Sequence, residues 1–281
     1  MELIIRSPLE TECPMITSLW EAVFADGPAF TVPFLETAEP ARNALCAFER
    51  ERLVGMLFLL PAVLSLSGEA MEARYLYGAA TAPDFRGRGV FRRLEQEAAR
   101  AAREAGARAI GLVPAEPGLY QMYQKLGYRT RFWLSETLVP AMIAPKASIA
   151  VCREPDFLAL RREMLRRREN YFDLYPALCE FRYREFVRAG GEILYIQTPE
   201  GNGYTAGRPA GEEYRIAETS LSGLALAHAA GAIRLATGAR RVRVTGKEGA
   251  RRPAGMVKLL DDTVEPRALL RADPYLNLML T

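Results

Sequence analysis

Between Thr81 and Leu94 the chain reads Thr-Ala-Pro-Asp-Phe-Arg-Gly-Arg-Gly-Val-Phe-Arg-Arg-Leu, and the hydrophobic period changes across it. Before it, residues 43–48, 53–66 and 72–81 are rich in aliphatic and aromatic side chains, with the turn sequences Arg50-Glu51-Arg52 and Ser67-Gly68-Glu69 between them. That pattern predicts an antiparallel meander. After it, Val90, Leu94, Ala98, Ala101 and Ala105 recur at helical spacing, and Gly106 suits the residue that closes a helix. A strand that turns through glycines straight into a helix gathers unpaired backbone N–H groups at the positive end of the helix dipole, where a phosphate is favoured. Gly87 and Gly89 tolerate backbone angles closed to other residues, and Arg86 and Arg88 add charge. An ordinary tight turn would use the same glycines, so a second feature is needed to separate the two readings. The turn is not a Walker A loop, which needs Gly-Lys-Ser or Gly-Lys-Thr, and the third glycine of a dinucleotide fingerprint would fall at Arg92. Nucleotide hydrolysis and hydride transfer both lose support.

At 281 residues the chain exceeds one typical domain. Amphipathic stretches at 10–24 and 29–37 predict opening helices. A strand is expected at 108–113. Pro117 then opens a short helix carrying Tyr120, Tyr123 and Leu126, closed by Gly127, and residues 128–138 return to strand character. The first domain is thus placed at 1–139, and Pro140 and Pro145 mark a linker over 140–148. In a second domain, 149–281, helices are expected at 155–169, 177–189 and 221–237. Its strands are expected at 192–198, 203–206, 214–218 and 240–245, with Gly255-Met256-Val257-Lys258 as a further strand near the end. This is the element order of the first domain with almost no residue identity.

Hydrophobic residues at 49% and charged residues at 25% describe a soluble globular chain. Net charge is only +3, and the runs Arg161-Arg162, Arg166-Arg167-Arg168 and Arg240-Arg241 are interspersed with acids. They read as solvated helix faces in preference to a nucleic-acid surface. Cys13, Cys46, Cys152 and Cys179 are far apart and His228 is the sole histidine, so neither a zinc spacing nor a Cys-His pair is available, and no metal is expected. His228 falls mid-helix among alanines and is given no role. The N-terminal residues lack a basic segment leading into an apolar stretch, and the apolar run at 54–66 is too short to span a bilayer. The expectation is a cytoplasmic protein with no membrane partner.

The glycine turn resembles the pyrophosphate loop of the GNAT superfamily of N-acetyltransferases, Arg/Gln-x-x-Gly-x-Gly/Ala. Arg86, Gly87, Arg88, Gly89 and Val90 match it, and Phe91 stands where the last small residue is usual. The second feature lies about thirty residues on, where Met122-Tyr123-Gln124-Lys125-Leu126-Gly127-Tyr128 resembles the superfamily's Leu-Tyr-x-x-x-Gly-Phe helix end. The likeness is strong over about residues 40–135. The second half resembles the family through element order and the strand near 255, and has Ser220-Leu221-Ser222-Gly223 where a phosphate loop would sit. The whole therefore resembles tandem-GNAT proteins of the enhanced-intracellular-survival type, and the resemblance implies an α/β fold with a mixed sheet and a degenerate second domain without cofactor.

The resemblance also implies a chemistry. Acetyl-CoA would be the acyl donor, its pantetheine arm and thioester carbonyl met by backbone N–H groups at Ala79, Ala80 and Thr81. Loss of one such donor typically costs about 3 kcal/mol of transition-state stabilisation. An amine of a small molecule, aminoglycoside-like compound or peptide would attack directly, with Tyr123 as the acid that protonates the leaving thiolate. A phenol with a pKa near 10 is protonated at neutral pH and donates without special tuning. No general base is legible: Glu116, Glu36 and the terminal carboxylate of Thr281 are candidates only. The different-class alternative is an acyl-CoA-binding regulator or scaffold without catalysis. A monomer or homodimer is expected, because a tandem arrangement buries edges that single domains cover by pairing.

Overall fold

The computed structural model describes residues 2–246, 249–261 and 274–276; Thr281 lies outside them. The first half runs β1 (Ile4–Arg6), α1 (Cys13–Phe24), α2 (Pro28–Ala38), α3 (Pro40–Asn43), β2 (Ala44–Glu49), β3 (Arg52–Leu66), β4 (Glu69–Thr81), α4 (Val90–Glu104), β5 (Ala109–Leu112), α5 (Leu119–Lys125) and β6 (Arg129–Leu138). The second runs β7 (Ser148–Val151), α6 (Glu154–Arg166), β8 (Tyr171–Leu174), α7 (Pro176–Arg188), β9 (Glu192–Thr198), β10 (Gly201–Ala210), β11 (Glu213–Thr219), α8 (Gly223–Thr237), β12 (Arg241–Gly246) and β13 (Arg252–Leu259). Each half contains three meandering strands, a helix, and a strand parallel to the third, through the pairs β4–β5 and β11–β12. Among the described residues no helix is long and apolar enough to cross a membrane.

The strands form a continuous mixed sheet in the order β1-β2-β3-β4-β5-β13-β6-β12-β11-β10-β9-β7, with β8 added to β3. The halves are therefore interleaved, where the sequence predicted separate units. β13 was expected within the second half, yet it lies between β5 and β6, antiparallel to both. Its residues Ala254, Met256 and Val257 are buried, as suits a central strand flanked on both edges. β6 is shared: Arg129–Leu134 faces β13 and Ser135–Leu138 faces β12. The short β8, unforeseen between two helices, extends the sheet by pairing Leu174 with Ala62 and Tyr171 with Ser65. Phe172 of β8 sits against Gly111 of β5, where an added Cβ would lie 2.6 Å from the ring.

α4 buries Val90, Leu94, Glu95, Ala98, Ala99 and Ala102. Ala105, expected in the stripe, is exposed because the helix ends at Glu104, while Gly106 closes it with φ +81°. Arg161 corrects the reading of the arginine runs. It is buried, with Nε 2.9 Å from Glu218 and Nη1 2.6 Å from Asp173, whereas Arg162, Arg166 and Arg167 are exposed. Burial of Glu218 without a cation would be costly, and Arg161 supplies one from α6. His228 is packed: its Nδ1 accepts a hydrogen bond from the Lys146 backbone N–H at 3.0 Å, which fixes the linker to α8. The four cysteines are free thiols.

Candidate active site

The site is built where two parallel strands part. β4 and β5 pair only over Ala73–Tyr75 and Ala109–Gly111, so the β5-facing edge of residues 77–81 has no strand partner. The parting is reinforced by a bulge on the other edge: Phe58 pairs with Tyr77 and Met56 with Ala80, so Gly78 and Ala79 together oppose Leu57. Gly78 has φ +58°, and a Cβ there would lie 2.4 Å from the Trp20 ring. No other residue fits the bulge without moving Trp20.

Beyond β4, the short turn Pro83–Phe85 leads into Arg86-Gly87-Arg88-Gly89 and α4. Gly87 and Gly89 have φ +75° and +77°, with no atom within 4 Å of an added Cβ. Backbone conformation, not crowding, demands glycine at both, and the space beside them is open to a ligand. Gly89 caps α4 without any side-chain hydrogen bond, so the first N–H groups of the helix remain available. The turn is braced from behind: Arg52 makes a bidentate pair with Asp84 at 2.7 and 3.0 Å, and Arg52 and Arg88 lie over the Phe85 ring at 5.1 and 5.0 Å.

A cavity of about 360 Å³ lies along this turn. Ala79, Ala80, Thr81, Arg86, Gly87, Gly89, Val90 and Phe91 line one side, and Leu119, Met122 and Tyr123 close the other. The expected cofactor residues are thus brought together, except that the Arg88 side chain turns to Phe85 and lines no part of it. A pyrophosphate with an extended amide-bearing arm fits these residues: open glycines and uncapped N–H groups at one end, a free strand edge along the middle.

A second cavity of about 290 Å³ adjoins the first and shares Ala79, Leu119 and Tyr123 with it. Its other walls include the rings of Trp20, Phe24, Phe30 and Tyr77, and its one carboxylate among the described residues is Asp26. Asp26 Oδ2 accepts a hydrogen bond from Trp20 Nε1 at 2.9 Å, which orients the acid. Glu116 and Glu36 are both exposed and line neither cavity. Asp26 went unnoticed in the sequence; its one signal is the Asp26-Gly27-Pro28 turn between the opening helices.

Tyr123 stands on the wall common to both cavities. It is buried, with Phe91 edge-on at 5.8 Å and Tyr128 edge-on at 5.6 Å between ring centroids. Phe91, the departure from the small residue usual at that position, therefore positions Tyr123. Burial, and secondarily the Glu95 carboxylate, push the Tyr123 hydroxyl up to about 12. Glu95 is itself buried on α4 and accepts a 2.8 Å hydrogen bond from Lys258 Nζ of β13. Among the described residues no group of three or more His, Cys, Asp or Glu side chains is placed to hold a metal ion.

Residues 4–131 match the family model described as an acetyltransferase (GNAT) domain. No curated protein matches the sequence. Among solved structures, the chain is similar to a GCN5-related N-acetyltransferase from Kribbella flavida at 16% identity and TM-score 0.71, covering 92% of this chain and 72% of that one. It is similar to another from Anabaena variabilis at 14% identity and TM-score 0.74, covering 92% and 73%. Eis1 from Mycobacterium abscessus is similar at 12% identity and TM-score 0.72, covering 92% and 74%. At such identities the likeness is one of fold, and it extends over both halves. Residues 4–131 are thus similar to GNAT acetyltransferase domains, within a mixed α/β fold that matches GNAT-like structures over most of the chain's length.

Proposed function

We propose that the chain is an acetyl-CoA-dependent N-acetyltransferase that acetylates an amine by direct attack. The observation that carries this reading is the placement of Tyr123 where the glycine-loop cavity and the aromatic cavity meet. Acetyl-CoA supplies the acyl group as an activated thioester. The N–H groups of residues 87–90, with Arg86, hold the pyrophosphate, and the free edge at Ala79, Ala80 and Thr81 takes the arm and polarises the carbonyl. The acceptor enters the aromatic cavity, where ring faces favour an ammonium and the Asp26 carboxylate draws it in and accepts its proton. The Tyr123 hydroxyl gives its proton to the departing sulfur. Direct attack needs the amine and the thioester side by side, and the residues Ala79, Leu119 and Tyr123 common to the two cavities support that reading.

In this reading residues 1–139 are the catalytic domain and residues 149–281 a supporting one without a cofactor. What supports it is the connection between third strand and helix: residues 82–89 in the first half, only 220–222 in the second. There Leu221 is buried and Ser220 Oγ accepts a hydrogen bond from Tyr204 N at 3.0 Å, so the turn is packed inward.

Isothermal titration should show acetyl-CoA binding to the wild type and its loss in Gly89→Trp, which forces a side chain into a φ of +77° beside the cavity. A wild type that binds no acetyl-CoA defeats the proposal. Binding without coenzyme A release across a broad amine panel would turn the reading to an acyl-CoA-responsive regulator.

A further inference from the structure

A third cavity, of about 550 Å³, opens between the two halves, and arginines from separate elements converge on it: Arg182 of α7, Arg208 of β10, Arg215 of β11 and Arg252 of β13. Among the described residues its one acidic lining side chain is Glu136. Arg215 approaches Glu213 at 3.8 Å, but among the described residues Arg182, Arg208 and Arg252 have no carboxylate within ion-pair distance. Arg182 and Arg208 share the ring of Phe186, at 5.9 and 5.0 Å, and the Arg182 Nε is buried with no hydrogen-bond partner. Burial, and Arg208 beside it, push the Arg182 guanidinium below its ordinary value. Arg182 is half-buried at the base of the cleft, with Glu185 as the carboxylate that acts on it, while Arg208, Arg215 and Arg252 are exposed on its walls; planar donor sets so grouped around one cleft suit a carboxylate or phosphate.

The cleft adjoins the acceptor cavity: Val113 lines both, and Asp26 of the acceptor cavity and Arg182 of the cleft both lie near enough to Tyr77 to act on its hydroxyl. A molecule with its amine beside Asp26 and Tyr123 would therefore extend past Val113 towards Arg182.

We propose that the acceptor is an anionic amine, carrying a carboxylate or phosphate at a distance from the amino group, and that Arg182, Arg208 and Arg252 hold that acid. The proposal rests on the acetyltransferase reading for its chemistry and on the cleft alone for its site. Three amines of similar length separate the cases: triglycine, triglycinamide and an aminoalkyl phosphate. In the wild type, kcat/KM for triglycine or for the amino phosphate should exceed that for triglycinamide at least tenfold, and the better of the two anions identifies the acid. Arg182→Met and the surface variant Arg252→Glu should each shrink that preference to about twofold while leaving KM for acetyl-CoA and turnover of triglycinamide unchanged. Equal use of the neutral amide, or variants that keep the preference, overturns the proposal.

The site is also read without turnover, by isothermal titration of citrate. Binding should weaken at least tenfold in Arg182→Met and Arg252→Glu and persist in Arg88→Met at the phosphate loop. Citrate binding lost in the cleft variants alongside absent acetyl transfer would sink the enzymatic reading and keep the anion site. No citrate binding, or binding indifferent to the cleft variants, overturns the site itself.

Discussion

The hydroxyl of Tyr123 holds its proton tightly, since burial and then Glu95 both disfavour the phenolate. A group whose pKa is raised to about 12 stays in its acid form well below that pH, so the proton donor proposed above would survive through most of the alkaline range an enzyme tolerates. The kcat profile should therefore show no descending limb up to about pH 10, the ordinary phenol pKa, at which an unshifted tyrosine would be half lost. A fall between pH 8 and 10 that disappears in Tyr123→Phe would refute the raised value. Tyr123→Phe itself should lower kcat by about 100-fold and leave KM for acetyl-CoA within about twofold, because the ring still packs on Phe91 and Tyr128. Tyr123 was legible in the sequence because a helix end at fixed spacing from the glycine turn marks it. Asp26 was not: an acid in a Gly-Pro turn is commonplace, and its meaning depends on Trp20 and on a cavity assembled from distant strands. The arginines of the interdomain cleft escaped for the same reason, since Arg182, Arg208 and Arg252 are neighbours only after folding.

At the scale of elements, α4 presents its N-terminus to the glycine-turn cavity while another side of the helix packs on the sheet. Glu95 lies on that buried side, and Lys258 reaches it from β13, its side chain 20% exposed against 1% for Glu95. Lys258→Met would leave the carboxylate buried and unpaired, at a cost of about 3 kcal/mol, the low end for a broken buried pair because Lys258 is partly solvated. The drop should appear as a lower urea midpoint with unchanged slope. Replacing both partners, as Glu95→Gln with Lys258→Met, should recover part of the loss; no recovery would mean that the pair is not the source. β3 and α4 were plain in the sequence because a long apolar run and a helical stripe are self-reporting. β8 was hidden because four residues between two helices carry no readable period, and its strand character comes from the edge of β3 that it joins. β13 was recognisable as a strand, but nothing local shows which strands flank it.

At the scale of the whole molecule, the first half does not own its sheet. β13 fills the space between β5 and β6, and Phe172 fills the hollow left by Gly111. A chain cut to residues 1–139 would leave β5 and β6 with unpaired edges and several buried side chains exposed. It should show no cooperative thermal transition by circular dichroism, whereas the full chain should melt as one unit. A sharp transition in the short piece would show that the first domain is autonomous. The central position of β13 also sets a schedule during synthesis. On the ribosome the first half emerges first, yet its sheet cannot close until residues 252–259 have left the exit tunnel. Until then β5 and β6 wait with open edges, the condition under which nascent chains pair with the wrong partner and draw on chaperones.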